Sequence, residues 1–185
     1  PYRRQRQMCI RDRLKLLAGT LEIKSLDHMA LGDLNMNAKS GLKVESGSGA
    51  LSSATVNGGS LDLNMTVTDG NVGPIVNNGG TATLALNGVT QLNTPITNNG
   101  GTTSVSLSGA QVTVATETAH ISNQNGTLNV AGDLVFKGPV RGAVTVRNES
   151  TMNTTGNWSL TAGLHSCYQC DFMLVNGKTA QYAHT

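Results

Sequence analysis

Asn57-Gly58-Gly59-Ser60 returns as Asn78-Gly79-Gly80-Thr81 and again as Asn99-Gly100-Gly101-Thr102, each copy 21 residues after the last. A looser copy, Asn125-Gly126-Thr127, places Gly126 25 residues past Gly101. Other positions keep the 21-residue step: Leu63 with Leu84, Leu86 with Leu107, Gly88 with Gly109, Pro74-Ile75 with Pro95-Ile96, and Asn77 with Asn98. A period this short marks stacked units, each too small to bury its own apolar face.

Behind each Gly-Gly pair, polar and apolar residues alternate. Thr81-Ala82-Thr83-Leu84-Ala85-Leu86 puts Leu84 and Leu86 on one face, and Thr102-Thr103-Ser104-Val105-Ser106-Leu107 does the same with Val105 and Leu107. Ser60-Leu61-Asp62-Leu63-Asn64-Met65 and Thr127-Leu128-Asn129-Val130 follow suit. Side chains alternate across a strand, so one face is dry and the other wet. Thr and Ser on the wet side suit a pleated surface. Asn-Gly and Gly-Gly tolerate the positive φ of a sharp corner. No window sustains the apolar spacing and caps of a helix.

A propeller blade needs about 40 residues. A step of 21 residues instead fits one coil of a parallel β-helix. The expected fold is therefore all-β: a right-handed parallel β-helix of roughly seven coils over residues 14–163, a rod on the order of 30 Å long. Each strand pairs with its copy one coil away, at roughly 4.8 Å. Leu63, Leu84 and Val105 then stack, as do Leu86 and Leu107. Gly59, Gly80, Gly101 and Gly126 fall on one line. Asn77 lies over Asn98 and near Asn123, in a row able to chain amide hydrogen bonds along the axis. An antiparallel hairpin array would explain the Asn-Gly corners but not the recurring Pro-Ile. A leucine-rich solenoid has this period, but its Leu/Asn consensus is missing.

The 185 residues hold 13 Lys+Arg and 11 Asp+Glu, a net charge of +2. Arg3, Arg4, Arg6, Arg11 and Arg13 sit in residues 1–13 against Asp12, so the rest keeps 8 basic and 10 acidic residues, net −2. That body offers no basic surface for nucleic acid. Between residues 14 and 163 the aromatics are Phe136 and Trp158, too few for base-stacking platforms or aromatic sugar clefts. No apolar run approaches the roughly 18 residues of a membrane span. No apolar segment follows the basic N-terminus as in a signal peptide; if the protein is exported, its export signal is expected upstream.

Three segments emerge. Residues 1–13 lack the Gly/Asn/Thr bias; Gln5-Arg6-Gln7-Met8-Cys9-Ile10-Arg11-Asp12-Arg13 resembles translated sequencing-adapter read-through from metagenomic assemblies, with a flexible N-terminus or a basic arm as the alternatives. Residues 14–163 form the coil array. Gly19-Thr20-Leu21-Glu22-Ile23 and Gly41-Leu42-Lys43-Val44 read as copies 22 residues apart, with Leu31-Gly32-Asp33-Leu34-Asn35-Met36-Asn37 between them. Leu134-Val135-Phe136, Ala143-Val144-Thr145-Val146 and Trp158-Ser159-Leu160 continue it with longer turns. Residues 164–185 break the pattern: a cap, a loop or a frame-shifted end.

Candidate chemistry is thin. His165 and Cys167-x-x-Cys170 are zinc-ligand types, but a structural site takes four ligands and no second pair exists. Glu45-Ser46-Gly47-Ser48-Gly49 lacks the preceding Gly-Asp of a protease nucleophile turn and reads as a corner. A carbohydrate-active β-helix needs carboxylates at equal phase in successive coils. The residue 21 after Asp62 is Thr83, and 21 after Asp69 is Thr90. No catalytic, cofactor or metal residue is assigned.

Asn77-Asn78-Gly79-Gly80-Thr81-x-x-Leu84-x-Leu86-x-Gly88, Asn98-Asn99-Gly100-Gly101-Thr102-x-x-Val105-x-Leu107-x-Gly109 and Asn125-Gly126-Thr127-Leu128-Asn129-Val130 resemble the passenger domains of bacterial autotransporter adhesins of type V secretion. That resemblance covers residues 14–163. It implies a right-handed β-helix displayed outside a Gram-negative cell, followed by a C-terminal membrane barrel, so that this chain is a fragment. Expected function is adhesion, aggregation or a spacer role, without catalysis or cofactor. Expected partners are a host- or bacterial-surface protein or glycan and further copies of the chain; the membrane is reached only through the barrel. The alternative is a polysaccharide lyase- or hydrolase-like enzyme. The family is poor in cysteine, and Cys167 and Cys170 depart from it.

Overall fold

The computed structural model describes residues 15–16, 18–25, 31–108, 111–115, 120–137, 146–161 and 181–183. Among them every regular element is a strand, and every strand pairing is parallel within one continuous sheet. The sheet coils through three faces. On the first lie Gly19–Ile23, Ser40–Val44, the opening half of Ser60–Val72, the closing halves of Ile75–Asn87 and Ile96–Ser108, then Thr127–Ala131 and Thr151–Thr155. On the second lie Lys15–Leu16, Leu31–Met36, the end of Ser48–Val56, the opening parts of Ile75–Asn87 and Ile96–Ser108, then Ile121–Asn123 and Val146–Asn148. On the third lie the start of Ser48–Val56, the end of Ser60–Val72, Gln91–Leu92, Val112–Ala115, Leu134–Lys137, Trp158–Thr161 and Gln181–Ala183.

The chain is a parallel β-solenoid whose coils follow one another at about 21 residues. Among the described residues each of the three faces carries seven stacked strands, in line with the roughly seven coils expected from the sequence. Of the strand expected at Ala143-Val144-Thr145-Val146, only Val146 is described, opening Val146–Asn148. Gln181–Ala183 adds a strand to the third face, within the segment read as irregular.

Inward residues form columns. Leu63 pairs with Leu84, Leu84 with Val105 and Val105 with Val130, and all are buried. Met65, Leu86 and Leu107 make the next column; Ile75, Ile96 and Ile121 run up the second face, and Val72, Leu92, Val114 and Phe136 up the third. Fully burying each such side chain is worth about 1.5–3 kcal/mol. Each coil contributes only a few of them, so the neighbouring coils complete its core.

One register differs from the sequence reading. Gly19 pairs with Ser40, not Gly41, and Leu21 with Leu42, a step of 21 rather than 22 residues. A one-residue slip would turn every side chain to the opposite face, so the match of Leu21 to Leu42 decides the register over the match of the glycines.

The corner glycines stand on one line. A Cβ on Gly80 would meet the Gly59 carbonyl oxygen at 2.6 Å, one on Gly101 would run into the Gly80 oxygen, and one on Gly126 into the Gly101 oxygen. Gly101 also has φ +75°, which a side chain disfavours. Gly80 reaches the column without positive φ, at the point where the register between coils shifts.

Candidate functional site

Inside the bore, the second face carries an amide column. Asn77 pairs with Asn98 and Asn98 with Asn123, all fully buried. In the two coils before, the same column is filled by Met36 and Val56. Buried amides must find partners, because each unmet group costs about 1–3 kcal/mol. Asn98 Nδ2 donates to Asn123 Oδ1 at 2.8 Å and to the Asn125 carbonyl at 2.9 Å. Asn77 and Asn98 are joined through a third residue. Asn77 Nδ2 donates to Thr103 Oγ1 at 3.0 Å, and Thr103 Oγ1 donates to Asn98 Oδ1 at 2.9 Å. Asn77 Oδ1 accepts from the Gly79 and Gly80 amides at 3.1 and 2.9 Å, and Asn123 Nδ2 donates to the Thr151 carbonyl at 2.8 Å. The result is a polar spine tying several coils together at the corner where the glycines stack.

Partners would meet the outside. On the wet side of the first face, Ser60, Thr81, Thr102, Thr127 and Thr151 form one column. Beside it run Glu22, Lys43, Asp62, Thr83, Ser104, Asn129 and Asn153. Towards the C-terminal end this second column is neutral and self-bonded: Asn153 Nδ2 donates to Asn129 Oδ1, and Asn129 Nδ2 to Ser104 Oγ, both at 2.9 Å. Along the adjoining corner runs an outer amide ladder. Asn57 Nδ2 donates to Asn35 Oδ1 at 3.0 Å, Asn78 to Asn57 at 2.7 Å, and Asn99 to Asn78 at 2.8 Å.

The N-terminal end of the face is charged. Lys43 Nζ donates to Glu22 Oε1 and Glu45 Oε1, both at 3.0 Å. The hydrogen bond from Lys43 holds the Glu22 carboxyl below its ordinary value, with Glu45 and the Lys43 charge adding to it. The same contacts, led by Glu45, raise the Lys43 ammonium above its ordinary value. A general acid at neutral pH needs the opposite shift, a carboxyl pushed up. Among the described residues no group of three His, Cys, Asp or Glu is placed to hold a metal ion. Cys9, His165, Cys167 and Cys170 lie outside them. Phe136 and Trp158 are both buried in the bore, ring centroids 5.5 Å apart, where neither is available to stack on a sugar.

Gly59, Gly80, Gly101, Gly126, Leu63, Leu84, Val105, Leu86, Leu107, Asn77 and Asn98 all stand in columns with their copies. Sequence reasoning passed over three features. The outer ladder was visible as Asn35, Asn57, Asn78 and Asn99, spaced 22, 21 and 21 residues apart. The Glu22–Lys43–Glu45 cluster needed the true register, which sets Glu22 beside Lys43; Thr103 already fell in line with Ala82 at the 21-residue step, but an alternation pattern carries no sign that its hydroxyl joins Asn77 to Asn98. No family model, curated protein or solved structure matches the chain.

Proposed function

We propose that this chain is a non-enzymatic surface rod of autotransporter adhesin type, exported to the bacterial cell surface and engaged in adhesion or aggregation. The observation that carries this reading is the wet side of the first face from Thr81 to Thr155. It is a parallel array of Thr, Ser, Asn and Ala in register over successive coils. Such a face makes many weak hydrogen bonds, each worth about 0.5–1.5 kcal/mol net. It suits a long surface, a protein or glycan on a host or bacterial cell, or a second rod, better than a small molecule, which a concave pocket would enclose. The test displays the chain on a non-aggregating bacterium and scores attachment to host cells and settling. Thr81→Arg with Thr127→Arg should abolish both while the fold stands. Unchanged attachment and settling in that variant would show that this face is not the adhesive one.

The Glu22–Lys43–Glu45 cluster favours a second reading, a carbohydrate-active β-helix, since carboxylates beside a lysine are the groups such chemistry uses. Release of new reducing or unsaturated ends from a panel of acidic polysaccharides, lost in Glu22→Gln with Glu45→Gln, would support it. No release from any of them leaves the adhesive reading.

A further inference from the structure

Five Asn-Gly pairs lie among the described residues, at Asn57, Asn78, Asn87, Asn99 and Asn125. This dipeptide is the one in which a backbone amide most readily attacks the preceding side chain, because glycine offers no steric hindrance. The structure sorts the five. At the outer corner Asn57 and Asn78 have both amide atoms engaged, each donating to the coil before and accepting from the coil after. Asn99 donates to Asn78, and its Gly100 is buried within a strand. The nucleophile is also occupied at two sites: the Gly79 amide donates to Asn77 Oδ1 at 3.1 Å and the Gly88 amide to the Ser108 carbonyl at 3.1 Å. Asn125 differs on both counts. Its side chain is exposed and makes no hydrogen bond among the described residues, and the Gly126 amide donates to no acceptor there.

We propose that Asn125 is a site of spontaneous deamidation, and that the outer ladder shields its counterparts. The Gly126 amide nitrogen attacks Asn125 Cγ, forming a C–N bond. The Cγ–Nδ2 bond breaks and ammonia leaves, carrying the amide proton. Water then opens the resulting succinimide at either carbonyl to give aspartate or isoaspartate. The position gives the change a consequence. The Asn125 carbonyl accepts from Asn98 of the inner spine, and Gly126 is seated against Gly101. The extra backbone carbon of an isoaspartate displaces both, so the corner opens next to the Asn98–Asn123 link.

The test ages the whole chain in mildly alkaline buffer and maps peptides by mass spectrometry over time, once folded and once in urea. In the folded chain Asn125 should convert at least about tenfold faster than Asn57 and Asn78, the factor supplied by one or two amide hydrogen bonds added to the barrier. In urea the rates should converge. Equal rates in the folded chain, or an Asn125 that stays intact while the ladder residues convert, would overturn the proposal.

Discussion

Single side chains carry the sharpest expectations. Thr103 stands in a column with Leu61, Ala82 and Leu128, yet it is the hydroxyl that joins Asn77 to Asn98. Thr103→Val keeps the shape and removes the only donor to Asn98 Oδ1 among the described residues. The stranded acceptor should cost about 1–3 kcal/mol, read as a melting temperature lower by about 2–4 °C per kcal/mol. Trp158 is the converse case: its Nε1 is buried without a partner among the described residues. Trp158→Phe removes an unmet donor while keeping most of the ring packing on Phe136, so thermal melting should find it neutral or slightly stabilised. Trp158→Ala should lose about 3–5 kcal/mol. The Glu22–Lys43 contact is exposed, so its contribution is small and screened by salt. Glu22, lowered from 4.5, adds stability above that value and loses it as pH falls through its folded value. Lys43, raised from 10.5, adds stability below that value and loses it as pH rises through its folded one. Lys43→Met should therefore narrow the gap to the parent chain only at the acid and alkaline extremes, and melting curves across pH at low salt would show it.

At the scale of a coil, what was legible followed from how much each face repeats. On the first face a recurring Leu/Val alternation fixes which residues point inward, so Leu84 over Val105 and Leu86 over Leu107 could be read directly. On the third face Leu51, Val72, Leu92, Val114 and Phe136 stack at steps of 21, 20, 22 and 22 residues. The corners before that face vary in length, so no fixed period reveals it. The glycine column was legible in its positions but not its cause, which is the close approach of one coil's carbonyl to the next coil's Cα. Gly101→Ala should therefore destabilise by more than the roughly 1–2 kcal/mol of left-handed strain alone, because the new methyl meets the Gly80 oxygen. Leu84→Asp or Leu107→Asp buries an unpaired carboxylate, which costs several kcal/mol. Hydrogen exchange should show the coils on either side losing protection together; unchanged exchange would mean that these side chains do not face the bore.

Across the whole molecule, stability accumulates from contacts between neighbouring coils. Removing residues 78–98 takes out one 21-residue unit and joins Asn77 to Asn99, which occupies the phase of Asn78. That shortened chain should still fold with strand-type circular dichroism, whereas removing half a unit should not. The central claim is that equivalent residues of successive coils lie in line along the axis, and spin labels in one outer column test it most directly. Glu22 and Asn153 stand in the same column six strand steps apart. At about 4.8 Å per step, pulsed electron resonance on Glu22→Cys with Asn153→Cys should give a single narrow distance near roughly 29 Å, and Asp62→Cys with Asn153→Cys one near roughly 19 Å. Broad distributions, or distances that do not scale with the number of coils between the labels, would contradict the stacked rod.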